Sequence, residues 1–112
     1  EYLEYVLDQL ARLGNVSSRR MFGGAGLYRD GLMFGLVADD IAYFKVDDSN
    51  RGDYEKAGSS PFNPFPEKGK TIVMSYYEVP PDVLENKAEL AEWAQRSLDI
   101  QKRKKPGGKL RR

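Results

Sequence analysis

Apolar residues in the opening segment EYLEYVLDQLARLG fall at Tyr2, Leu3, Val6, Leu7, Leu10 and Leu13. Their three-and-four spacing predicts an amphipathic helix with a single apolar stripe. Gly14, directly after the last apolar position, suits a left-handed C-terminal cap. A polar loop, Asn15–Ser18, is expected next. From Arg19 the pattern shortens to β-type runs. Arg19–Phe22 reads as a short strand or edge, and Gly23, Gly24 and Gly26 permit a bend before Leu27 and Tyr28. Full strands are expected at Leu32–Ala38 and Ile41–Val46. Asp30-Gly31 is a strong hairpin signal, and Asp39-Asp40 makes the following turn.

Asp47–Gly58 is polar, and Ser49 or Asn50 is placed to cap a short helix there. Pro61, Pro64 and Pro66 exclude a central strand, so Ser59–Gly69 reads as a loop or irregular edge. Lys70–Val79, KTIVMSYYEV, is β-rich. Pro80-Pro81 ends it, and a short helical turn is expected over Pro81–Asn86. A terminal helix then carries Leu90, Trp93, Ala94 and Leu98 on one face and stops near Lys105, because Pro106-Gly107-Gly108 cannot continue it. The order α-β-β-β-α-β-α predicts a two-layer α+β fold, an antiparallel sheet with helices on one face.

The strands are apolar on both sides. Ile41 and Tyr43 alternate with Ala42, Phe44 and Val46; Ile72, Met74 and Tyr76 alternate with Val73, Tyr77 and Val79. Helices cover one of these faces. The other needs a partner, a second copy of the chain, or the proline loop folded over it. Ile41, Tyr43, Met74 and Tyr76 are therefore the candidate protein-interface residues, a set that a one-residue register slip would invert.

Charge adds a second feature. The 112 residues carry a net charge of +1, but Lys102–Arg112 holds seven basic residues and no acidic one, so Glu1–Gln101 has a net charge of −6. The reading is a domain over residues 1–101 followed by a flexible basic tail. There is no cysteine and no histidine. This excludes thiolate catalysis, disulfides, cysteine-ligated zinc and histidine-assisted nucleophilic catalysis within the chain, and it agrees with a reducing, cytoplasmic location. No apolar run approaches the roughly 20 residues of a membrane helix.

Motif-like stretches resolve into structural features. Gly23-Gly24-Ala25-Gly26 precedes a strand rather than a helix and lacks a phosphate-loop pattern. Asp47–Gly58 is no calcium loop, because Arg51 sits at a ligand position and Gly58 replaces the bidentate glutamate. Asp39-Asp40 and Asp47-Asp48 read as turns rather than converging acid/base pairs. Trp93 is expected to seal its helix against the sheet.

Three blocks carry a family resemblance: RRMFGGAGLYRDGLMFGLVADDIAYFKVDD (19–48), the aromatic Phe62–Phe65 loop, and SYYEVPPDVLENKAELAEWAQRSL (75–98). In these blocks the chain resembles the N-terminal domain of the TfoX/Sxy family, bacterial proteins linked to regulation of natural competence. The resemblance implies a two-layer α+β fold similar to secretion-chaperone-like domains. It also implies a transcriptional co-regulator rather than an enzyme, with competence members looking like helpers of a cyclic-AMP receptor protein. It supplies no catalytic residues. Longer members add a C-terminal helical domain where this chain has its basic tail.

The expected function is thus a non-enzymatic interaction module, with a homodimer or a regulatory protein as partner and no cofactor, metal or membrane. The alternative is a nucleic-acid binder whose contacts are Lys102, Arg103, Lys104 and Lys105, assisted by Arg19 and Arg20.

Overall fold

A computed structural model describes residues 1–21, 23–64 and 73–104. Phe22, the Phe65–Gly69 part of the proline loop, the expected strand start Lys70–Ile72, and the tail from Lys105 onward lie outside the described residues. The first helix, α1, spans Tyr2–Gln9 and tightens into a 3-10 turn over Leu10–Arg12. Val6 and Leu10 on its stripe are fully buried.

Gly14 (φ +80°) and Asn15 (φ +58°) then reverse the chain straight into strand β1, Val16–Met21. The expected polar loop is therefore mostly strand. Its composition misleads because β1 is an edge strand, paired only with β2. Ser17, Ser18, Arg19 and Arg20 are compatible with a half-solvated ladder, and charge on an edge discourages further pairing.

Three more strands complete the meander: β2 (Gly24–Arg29), β3 (Leu32–Ala38) and β4 (Ile41–Lys45). The meander thus has four strands rather than three. Both tight turns put two residues in the left-handed region, Asp30 (φ +52°) with Gly31 (φ +80°), and Asp39 (φ +51°) with Asp40 (φ +59°). This backbone matches the right-handed strand twist, and Asp tolerates it better than bulkier residues.

Helix α2 spans Arg51–Lys56. Asn50 occupies its N-cap position, yet neither Asn50 nor Ser49 caps it through a side chain. Instead the buried Asn50 side chain accepts from the Asp47 N–H (2.9 Å) and donates to the Lys45 carbonyl (3.1 Å). The helix ends in paired bonds from the Gly58 N–H to Glu55 O and the Ser59 N–H to Tyr54 O, with Gly58 left-handed. A two-residue strand, β5 (Pro61–Phe62), and β6 (Val73–Glu78) follow. Then come α3 (Pro81–Leu84) and the long α4 (Lys87–Lys104). Asn86 caps α4 by accepting from the Glu89 N–H at 3.0 Å.

All pairings are antiparallel, and the six-stranded sheet has the order β1-β2-β3-β4-β6-β5. The α+β class and its two layers are as the pattern predicted. The core lies on one side only: Leu27, Phe34, Val37, Ala42, Phe44, Val46, Tyr77 and Val79 of the sheet region meet Val6, Leu10, Tyr54, Val83, Leu90, Ala94 and Leu98 of the helical layer. Trp93 packs edge-on against Tyr54 with ring centroids 4.8 Å apart, so it seals α4 against α2.

Replacing Asn86 by Ala removes the α4 cap and is expected to cost about 1 kcal/mol. That corresponds to a melting temperature lower by roughly 4–8 °C, measurable by circular dichroism. Asn50→Ala strips a buried side chain with two backbone partners and is expected to cost about 1–3 kcal/mol.

Candidate functional site: the helix-free face of the sheet

Strand register defines the opposite face. Side chains alternate across a strand, and paired residues share a side. One row on the helix-free face holds Met21, Gly24, Ala38 and Ile41; a middle row holds Arg19, Gly26, Leu36, Tyr43 and Glu78. Ser17, Tyr28 and Met33, with Lys45 and Tyr76 beyond a bulge, form the far row. The middle row is crowded at Gly26, where a Cβ would lie 2.9 Å from the Tyr28 ring and 3.1 Å from Met21 Sδ. The Tyr28 and Met21 side chains thus converge over the strand backbone.

This face is half-covered rather than bare. Among the described residues the only large hydrophobic that is clearly exposed is Tyr5 on α1. The Arg19 guanidinium lies 5.1 Å from the Tyr28 ring centre, and Lys45 Nζ lies 5.2 Å from that of Tyr76. Phe62 packs tilted against Tyr43 with ring centroids 4.8 Å apart, so the start of the proline loop folds onto the sheet.

Of the four candidate interface residues, Ile41, Tyr43 and Tyr76 are half-buried on this face, one in each row. Met74 lies on β6, and its side chain is outside the described residues. The basic candidates fall in separate places. Arg19 is on this face, whereas Arg20 alternates to the helical side near Tyr2. Lys102, Arg103 and Lys104 form the last turn of α4, where Arg103 reaches Asp47 at 3.5 Å. Lys105 is outside the described residues.

The half-covering leaves a cleft of about 430 Å³ lined by Met21, Leu36, Ala38 and Tyr43 together with Phe62, Asn63 and Pro64, with Asp39 at its end. No basic residue is among the described residues that line it. Sequence reading passed over Leu36 and Ala38. Their only signal was alternation within LMFGLVA, and apolar residues at both parities hid it.

The electrostatics follow from burial beside carboxylates. Tyr43 has its phenol pKa pushed up, first by burial and then by Glu78 and Asp39. Tyr76 is raised by burial and by Tyr28. On the far side Tyr54 is raised by burial, and so is Tyr2, where a bond to the Ala42 backbone partly opposes it. Burial, and then the nearby Lys104, lower Lys45. Among the described residues no cluster of acidic side chains is arranged to hold a metal ion. No helix among them is long and apolar enough to cross a membrane.

Each raised phenol favours the neutral form in the folded chain. Stability from this source is complete below the ordinary tyrosine value near 10 and is lost as pH rises through the raised folded values. Absorbance titration of tyrosinate is expected to show Tyr2, Tyr43, Tyr54 and Tyr76 ionising above the ordinary tyrosine value. Tyr43→Phe is expected to remove one of the late ionisations.

Residues 8–100 match the model of the TfoX N-terminal domain family. No curated protein matches the chain. The matched span runs from α1 into α4 and contains the whole meander, the Phe62 that packs against Tyr43, and strand β6. The chain belongs to the TfoX N-terminal domain family, one linked to competence-related regulation.

Proposed function

We propose that this domain is a non-enzymatic regulatory module that acts on transcription through a protein partner, with the helix-free face as its contact surface. One observation carries the reading. The core places the helical layer on one side of the sheet, and the other side presents a mostly apolar cleft walled by Met21, Leu36, Tyr43 and Phe62. Half-formed apolar clefts with a few polar groups are where proteins accept ligands or partner side chains. Family membership supplies the regulatory context. The absence of histidine and cysteine from the whole sequence removes the commonest nucleophile–base pairs. Ile41 and Tyr76 extend the same surface around the cleft.

The nucleic-acid alternative draws less support, because among the described residues Arg19 and Arg20 do not form one surface with the basic turn Lys102–Lys104 of α4. Arg19 and Arg20 point to opposite sides of β1, and Arg103 is already engaged by Asp47.

Ala38→Arg fills the cleft with a bulky charge from a half-buried outward position, and Met21→Lys does so from the edge strand. Glu92→Lys, on the exposed side of α4, serves as the control. Transcript profiles of cells carrying each variant in place of the native gene are expected to lose the regulated set with Ala38→Arg and Met21→Lys and to keep it with Glu92→Lys. Melting curves establish that the variants are folded. Retention of full regulation by both cleft variants would sink the reading.

A further inference from the structure

The cleft on the helix-free face is apolar inside and acidic at its edge. Asp39 closes one end of it, and Glu78 stands directly across from Tyr43 in the β4–β6 register. Neither carboxylate takes part in any ion pair among the described residues. Asp40 adds a third negative charge on the same hairpin. The cations of this face, Arg19 and Lys45, lean instead over the Tyr28 and Tyr76 rings, in the row farthest from the Asp39 turn. Both carboxylates sit close enough to Tyr43 to raise its phenol pKa, after the larger effect of burial. Arg20, on the opposite side of β1, shares a second pocket with Asp39 and Asp40 but forms no ion pair with either. Among the described residues, the carboxylates of this end of the face are thus held in no ion pair, beside a cavity able to hold a side chain.

We propose that the cleft binds a basic, extended segment of a protein partner, which places an apolar side chain between Leu36, Tyr43 and Phe62 and sets flanking lysine or arginine residues against Asp39 and Glu78. This rests on the reading of the face as the contact surface and names the chemistry of what it contacts. Two facts favour such a segment over a neutral one. Unpaired carboxylates at the rim gain from each approaching cation, while the cleft rejects acidic segments by like-charge repulsion. The cleft, about 430 Å³ and lined by apolar residues from the β1 edge to Pro64, has room for one anchoring side chain of such a segment.

The rim can be neutralised without disturbing the fold. Asn tolerates the left-handed backbone of position 39 as well as Asp does, and Gln is isosteric with Glu78. The probes are two fluorescein-labelled octapeptides with leucine set between lysine and arginine: KPGGKLRR, the sequence of residues 105–112, and AKRLKRGA. Their counterparts carry Glu at every basic position, or Ser in place of Leu. Fluorescence anisotropy against the full chain is expected to show binding of both basic peptides. It should weaken about tenfold or more with Asp39→Asn/Glu78→Gln, from two lost charge contacts. It should weaken similarly with Ala38→Arg or the Ser analogue, and fall as salt rises from low to physiological concentration.

Equal binding of the Glu analogues, or unchanged affinity of Asp39→Asn/Glu78→Gln, would overturn the charge assignment. If Ala38→Arg still abolished binding in that case, the face would remain the contact surface and only its preferred partner chemistry would be wrong. Failure of every peptide to bind would overturn this proposal, and the transcript experiment would then decide the face independently.

Discussion

The seating of α4 across β3 and β4 is the contact on which the rest of the molecule depends. Leu90, Ala94 and Leu98 are essentially removed from solvent and meet Phe34 and Phe44 from the sheet. Two polar bonds set its position: Ser97 Oγ donates to the Lys45 carbonyl at 2.8 Å, and Gln101 Nε2 donates to the Met33 carbonyl at 2.7 Å. Apolar packing alone is non-directional. Bonds to backbone acceptors at the ends of two adjacent strands give the helix a defined place along the sheet. The Lys45 carbonyl also accepts from Asn50, so the same atom ties β4 to both α4 and the loop before α2.

Once the helices occupy one side, the character of the other side follows from pairing. Leu36 and Tyr43 face outward because Val37, Ala42 and Phe44 are committed to the core, and alternation leaves no other choice. The molecule limits the consequence with local covers. Cations lie over Tyr28 and Tyr76, and Phe62 lies against Tyr43. What is left is a confined cleft rather than a broad apolar sheet, a shape that suits one anchoring side chain better than a flat, extensive interface.

Strand chemistry was legible where turn residues and apolar runs agreed. Asp30-Gly31 and Asp39-Asp40 marked both tight hairpins, Gly14 marked the end of the first helical segment, and Pro80-Pro81 marked the end of β6 and the start of α3. Legibility failed where composition reflected position in the sheet. Val16–Met21 looked like a loop because an edge strand tolerates serine and arginine. Asn50 looked like a helix cap, but burial gave its side chain two backbone partners on the preceding turn.

The sequence by itself determined the α+β class, the alternation that puts Ile41 and Tyr43 on one side and Ala42 and Phe44 on the other, the family, and the lack of histidine and cysteine chemistry. Those properties are local, read from spacing, turn residues and residue types. Only the tertiary structure decided which side the helices cover, that Phe62 folds back onto Tyr43, and that Asp39 and Glu78 both act on Tyr43 beside the cleft while Arg19 and Arg20 part to opposite faces. Each of these joins residues distant in the chain, or turns on the sense in which a strand presents its two sides. Helix packing and sheet register, rather than local propensity, set them.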